Sequence, residues 1–296
     1  MKSGSKIQLG ILGGNSQISR SLVPLLAGDY AITLYSRAPA KLEPFLVDHP
    51  RVENCHLHEF GRQPLDLIIN SIGCGDPAVL RETGSEVVDV TRYYDDLILR
   101  HLGSRTLGYI YLSSVAVYGP TTKFPVDPQA PAENSPGFHY GAAKQQAEHR
   151  HKSHGGPIVD LRIFGYVSDQ LDLASGFLVA QIFKARKANI PFVPHGGDSL
   201  RDYIGAPELA SVISRVVARG VANERIDVVS TQFTSRNRIL HLMQERHGLE
   251  VQWEKPSDAE RLPAAGRATL MEHAALGGIT RSAEAVVAAI AEKNFA

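Results

Sequence analysis

The chain has little cysteine, tryptophan, methionine or net charge, and each shortage removes a class of explanation. Cys55 and Cys74 are its only cysteines in 296 residues, and no Cys-x-x-Cys pair occurs. A disulfide framework and a cysteine-built metal centre are therefore excluded, and the usage suits a reducing compartment. The opening Met-Lys-Ser-Gly-Ser-Lys carries no apolar export segment, so a cytoplasmic location is expected. Lys plus Arg number 31 and Asp plus Glu 31, a formal net charge of zero. No clustered basic face is expected for nucleic acid or an anionic membrane, and any phosphate must be bound locally. Long hydrophobic runs are missing too. Ala210 to Ala218 is interrupted by Arg215, far short of the roughly 20 residues of a bilayer span. What is left, 43% hydrophobic and 21% charged residues, is the composition of an ordinary soluble globular protein. The length suffices for one large α/β domain, or for a nucleotide-binding domain carrying a smaller lobe.

Periodicity gives the organisation. Ile7 to Leu12 is a short, β-branched apolar run, followed by a Gly/Asn/Ser turn and then by Ile18, Leu22, Leu25 and Leu26 at helical spacing. Further strands are predicted at Ala31 to Tyr35, Leu65 to Ile69, Leu107 to Leu112 and Val159 to Phe164, with a helix at Glu86 to Leu102. Strands alternating with helices imply βαβ crossovers and a doubly wound parallel sheet. Beyond it, helices are predicted at 177–187, 207–219, 239–247 and 284–291, with short strands at 190–193, 226–229 and 250–253. Residues 1–165 are expected to form the nucleotide-binding domain, with segments around 190–230 returning to it, and 166–296 mainly a substrate-binding lobe.

The turn Gly13-Gly14-Asn15-Ser16-Gln17-Ile18-Ser19 sits where a strand becomes a helix, the place where free N–H groups and the helix dipole favour a pyrophosphate. Serines stand at 16 and 19, where a full glycine fingerprint would have glycine; each is small and adds a hydroxyl. At the end of the second strand, where NAD-binding folds usually carry an acid for the ribose 2′-hydroxyl, the chain has Ser36-Arg37. A guanidinium there suits a 2′-phosphate, so NADP(H) is favoured over NAD(H). Ser71, Ile72 and Gly73, after the strand at 65–69, together with Tyr140 and Lys144, complete the expected cofactor-binding set.

Tyr140 and Lys144 lie four residues apart, on one face of a helix. Upstream, Ser114 ends a buried strand, where ligands of open parallel sheets bind. A cation lowers the pKa of a neighbouring phenol, so Tyr140 can exchange a proton with a carbonyl oxygen as hydride moves, with Ser114 hydrogen-bonding that oxygen. The histidine groups His56/His58 and His149/His151/His154 lack carboxylates or cysteines at ligand spacing and are read as solvated surface, so no metal is expected.

The glycine turn, Ser113-Ser114-Val-Ala-Val-Tyr118-Gly119, Tyr140/Lys144, Leu161-Arg162-Ile-Phe164 and Gly197-Asp198-Ser-Leu-Arg201-Asp202-Tyr203-Ile204, in this order, resemble the extended short-chain dehydrogenase/reductase family, also called the NAD-dependent epimerase/dehydratase family. The resemblance implies a Rossmann-like α/β fold with a smaller C-terminal substrate-binding lobe. It implies Ser114, Tyr140 and Lys144 as catalytic residues, and a nucleotide-diphosphate sugar held by Ser114, Val115, Tyr140 and Arg201, the last on the pyrophosphate. It implies a homodimer as well. Asp202 is expected to hold Arg201 or its strand. Gly165 stands where many relatives carry an Asn, and Gly205-Ala206-Pro207-Glu208 replaces His-Val-x-Asp. Val115-Ala116 replaces the Asp-Glu pair of sugar dehydratases, which argues against dehydration. Gln17-Ile-Ser19 is similar to the turn of deoxysugar ketoreductases, and with Arg37 points to NADPH-dependent reduction of a 4-keto-6-deoxy sugar nucleotide, as in deoxysugar and polysaccharide biosynthesis. The alternatives are a 4-epimerase with tightly bound NAD(H) and a non-catalytic nucleotide-binding homologue.

Overall fold

The computed structural model describes residues 6–103, 106–118, 138–253 and 279–295; Gly119 falls outside them. The apolar run at the start forms β1 (Ile7–Leu12), and the periodic segment after the glycine turn forms α1 (Gln17–Leu26), capped by Ser16, whose hydroxyl accepts from the Ser19 N–H. Strands β2 (Tyr30–Ser36), β3 (Glu53–His56), β4 (Leu67–Asn70), β5 (Gly108–Ser114), β6 (Ile158–Ile163) and β8 (Glu224–Val228) complete a seven-stranded sheet of order β3-β2-β1-β4-β5-β6-β8, every pair parallel. The order reverses beside β1, between β2 and β4, and a reversal of that kind opens a crevice at the carboxyl ends of the strands. This is the Rossmann-like α/β architecture expected from the alternating pattern.

Helices between β2 and β6 include α2 (Glu43–Leu46), α3 (Pro77–Thr83), α4 (Glu86–Leu99) and α5 (Phe138–His154). One core cluster joins Leu9, Ile11, Leu22, Leu34 and Leu67 on the first strands and α1 to Leu209, Ile213 and Val216 of α7 (Ala206–Ala218). Residues 206–228 thus pack on the parallel sheet. A second cluster gathers Val179, Ile182 and Phe183 of α6 (Leu178–Ala188), Ile239, Leu240 and Met243 of α8 (Arg236–His247), and Val286, Val287 and Ile290 of α9 (Ala283–Phe295). A two-stranded antiparallel sheet, β7 (Leu200–Arg201) with β9 (Thr234–Ser235), carries Arg201. The segments 190–193 and 250–253, predicted as strands, meet only in one bridge, Phe192 to Val251. Pro191 and Pro194 flank it and lack the N–H groups a longer ladder needs.

Candidate active site

A cleft of about 720 Å³ runs along the carboxyl ends of β1, β4, β5 and β6, and its lining includes Ser16, Gln17, Ser71, Gly73, Ser114 and Tyr140. Its first wall is the turn after β1. Gly13 adopts φ +84°, and a Cβ there would lie 2.9 Å from the Ser71 backbone, so only glycine permits this approach of β1 to β4. Ser16 has φ −69° and ψ 153°, extended backbone open to any residue. The two serines brace the turn: Ser19 Oγ donates to Gly13 O at 3.0 Å, Ser16 Oγ to Ser19 Oγ at 2.9 Å, and Ser16 and Ser71 hydroxyls meet at 2.5 Å. With the Ser19 N–H taken by Ser16, Gln17 and Ile18 supply the first-turn donors facing the cleft. The buried Gln17 Nε2 has no protein partner. A close glycine approach, free first-turn donors and an orphaned amide fit the pyrophosphate of a dinucleotide.

At the end of β2, Ser36 is buried and its Oγ accepts from Asn15 Nδ2 at 2.5 Å and from the Ala38 N–H at 3.0 Å. Asn15 and Ser36 therefore hold the two strand ends together, and Arg37 beside them is exposed. Ile72, Val115, Lys144 and Arg201 line the cleft, whereas Gly13, Asn15, Ser36 and Arg37 are not among its lining residues.

The second wall is built by β5 and α5. Ser114, the last residue of β5, hydrogen-bonds the Tyr140 phenol, and Gly75 leaves the phenol room, since a Cβ there would lie 3.3 Å from its oxygen. Lys144, one turn on along α5, is buried; its Nζ donates to Leu112 O at 2.7 Å and stands 5.6 Å from the Tyr140 ring centroid. The same ammonium lies 4.3 Å from the centroid of Tyr111. Ser114, Tyr140 and Lys144 thus meet as expected. The expected lowering of the phenol's pKa is overturned: burial pushes Tyr140 up to about 12, against the pull of the Ser114 bond. Burial pushes Lys144 down to about 8, while Asp95, Asp160 and Glu148 pull the other way. Each group is driven toward its neutral form.

The far wall carries Phe164, Phe233, Phe177, Tyr203 and Arg201. Phe164 and Phe233 stack with centroids 6.4 Å apart. Arg201 Nε is buried without a protein partner, a donor left for a bound group. Asp202 bonds the Ser230 N–H at 3.1 Å and its hydroxyl, so it fastens its strand. On the near side, Asp76 caps α3 through Ala78 N and accepts the Gly176 N–H at 3.0 Å, tying two segments of the lining together. Sequence reasoning missed this residue, although an Asp before Pro77 is a readable helix-start signal.

One histidine departs from the surface reading altogether. His151 is 1% exposed, with Nδ1 2.5 Å from Asp160 and Nε2 2.7 Å from Asp95. Among the described residues no group of His, Cys, Asp and Glu could hold a metal ion, and no helix is long and apolar enough to cross a membrane.

Residues 10–229 match the family model described as the NAD dependent epimerase/dehydratase family. Similar solved structures include UDP-glucose 4-epimerase from Thermotoga maritima with UDP-glucose (15% identity, 97% of this chain and 98% of that one, TM-score 0.75). UDP-glucuronic acid 4-epimerase from Bacillus cereus with UDP-glucuronic acid and NAD is also similar (15%, 97% and 99%, TM-score 0.72). So is dTDP-glucose 4,6-dehydratase from Bacillus anthracis with NAD (13%, 97% and 97%, TM-score 0.70). At such identities the likeness is one of fold. No curated protein sequence matches the chain.

Proposed function

Because the chain belongs to the NAD dependent epimerase/dehydratase family, we propose that it is a nicotinamide-dependent oxidoreductase of a nucleotide-diphosphate sugar, and within that class an NADPH-dependent reductase of a 4-keto-6-deoxy sugar nucleotide. The observation that carries the reading is the meeting of Ser114, Tyr140 and Lys144 with the glycine turn on one cleft. When bound, the dihydronicotinamide supplies a hydride to the keto carbon. As the carbonyl π bond breaks, negative charge gathers on the oxygen, Tyr140 gives it a proton and Ser114 donates a hydrogen bond to it. The buried Lys144 ammonium stabilises the phenolate left behind. Gln17, Ile18 and Ser71 take the cofactor's pyrophosphate side, and Ile72 and Gly73 its reactive end. Arg37, exposed at the tip of β2, takes the 2′-phosphate. Arg201 offers its unpartnered Nε to the substrate's diphosphate, with Val115 beside the sugar.

A second reading is a 4-epimerase that retains NAD(H), and the solved UDP-sugar 4-epimerases of the same fold with NAD support it. Fluorescence titration with NADPH and NADH separately, followed by absorbance at the reduced-nicotinamide band with a panel of 4-keto sugar nucleotides, decides between them. The reductase binds NADPH more tightly and oxidises it only when substrate is present. Sugar interconversion without net cofactor change establishes the epimerase, and failure to bind either nucleotide ends the enzymatic reading.

A further inference from the structure

Behind the wall that carries Lys144 lies a buried ionic cluster with no part in the chemistry above. Its centre is His151 on α5. Asp95 of α4 takes His151 Nε2 at 2.7 Å, and Asp160 of β6 takes Nδ1 at 2.5 Å; the three are 1%, 0% and 2% exposed. Asp95 is also bonded by Arg150, at 2.7 Å, and by the Tyr109 hydroxyl, at 2.9 Å. On the far side of Asp160, Arg225 of β8 approaches to 3.7 Å and also meets Glu148 at 3.1 Å, while Arg162 of β6 holds Glu148 at 2.6 Å. Two tyrosines of β5 complete the surroundings of the imidazole, with Tyr109 at 5.2 Å and Tyr111 at 5.0 Å between centroids.

This cluster reaches the cleft by two routes. The Tyr111 ring has His151 against it and the Lys144 ammonium 4.3 Å from its centroid, so a single aromatic ring separates the imidazole from the lysine. From Asp95 a chain of bonds continues through the Tyr109 hydroxyl to Asn70 Nδ2 at 2.9 Å, and Asn70 Oδ1 accepts the N–H of Ile72 at 2.9 Å in the cleft wall. An ordinary histidine on a helix surface has neither connection.

We propose that His151 is a positioning residue of the site: its positive charge, clamped between Asp95 and Asp160, offsets those carboxylates and so sets how firmly Lys144 keeps its proton. The sign follows from Coulomb's law. Asp95, Asp160 and Glu148 favour the Lys144 ammonium; the imidazolium opposes it across Tyr111. Removing the imidazole leaves the carboxylates underbalanced and raises the Lys144 midpoint. The two carboxylates hold His151 itself up at about 9, against burial, so the windows in which His151 and Lys144 titrate overlap.

The test is an NMR titration of the whole protein labelled at lysine Cε and histidine Cε1, the Lys144 signal being assigned with Lys144→Met. His151→Gln raises the Lys144 midpoint by about one pH unit, the size of a unit charge acting across one ring in a medium of intermediate dielectric. The double variant Asp95→Asn/His151→Gln, which removes one charge of each sign, brings the midpoint back toward wild type. An unmoved midpoint in His151→Gln, or a double variant displaced further in the same direction, overturns the proposal. If the variants do not fold, the wild-type curves suffice: mutual two-step titrations support the coupling, and independent single-step curves refute it. The inference borrows from the proposed chemistry only its interest in Lys144. A shifted midpoint without any shift in the pH at which turnover falls upholds the coupling and overturns the catalytic use of Lys144.

Discussion

Tyr140 and Lys144 share a constraint: burial drives the phenol up to about 12 and the amine down to about 8. Two outcomes follow for the reductive direction. Turnover falls as pH rises through about 8, because deprotonated Lys144 no longer stabilises the phenolate. Tyr140→Phe loses about 10²- to 10⁴-fold in kcat, the usual share of a positioned general acid, while its affinity for NADPH stays within about twofold. Stopped-flow turnover and fluorescence titration check the pair; an unchanged kcat removes Tyr140 from the chemistry. These residues were legible in the sequence because their spacing along one helix is a local property. The serines of the phosphate turn were legible as hydroxyls in glycine positions, but not as a brace, because Ser71, the partner of Ser16, arrives from another strand. His151 was misread for the same reason. Its carboxylates come from α4 and β6, and nothing in the stretch around 149–154 announces them.

At the scale of elements, the strongly periodic segments were readable: β1, β2, β5, β6, α4 and α7 fall within a few residues of where apolar spacing puts them. Short pieces were not. Helix α3, for one, has seven residues and is held by its Asp76 cap. Gly165 shows how an element junction constrains chemistry. Its carbonyl accepts the Ile204 N–H at 3.0 Å, and Tyr166 bridges to Ile204 beside Arg201 and Asp202. A Cβ on Gly165 would lie 2.1 Å from Asp202 O, an overlap only a backbone shift can relieve. Gly165→Asn therefore costs about 1–3 kcal/mol of stability and displaces Arg201 rather than adding a substrate contact. Urea unfolding together with KM for the sugar nucleotide checks this, and a stable variant with lowered KM contradicts it.

At the scale of the whole molecule, a formal net charge of zero leaves little global repulsion near neutrality, so the pH dependence of stability falls to the few buried groups whose folded pKa has moved. His151, raised from 6.5 to about 9, contributes stability that is fully present below 6.5 and is lost as pH rises through about 9. Lys144, lowered from 10.5 to about 8, acts oppositely: between those values the unfolded chain binds more protons, and stability rises with pH. Of these two groups, His151 is the one active from pH 6.5 to 8, at about 1.4 kcal/mol per pH unit for one proton, so its contribution declines by roughly 2 kcal/mol, or about 4 °C in Tm for a chain of this size. From 8 to 9 the two slopes oppose each other and the curve flattens, and from 9 to 10 the lysine acts without the histidine and stability rises. Above 10 it falls again, because Tyr35, Tyr140 and Tyr203, each pushed up to about 12 by burial, resist ionisation that the unfolded chain accepts. Calorimetry across this range tests the assignment group by group. His151→Gln abolishes the decline between 6.5 and 8, and Lys144→Met deepens the loss between 8 and 9 by leaving the histidine unopposed. A wild-type Tm that stays level from pH 6.5 to 8 would mean that the imidazole between Asp95 and Asp160 is neutral, and the charge balance drawn around it would fail.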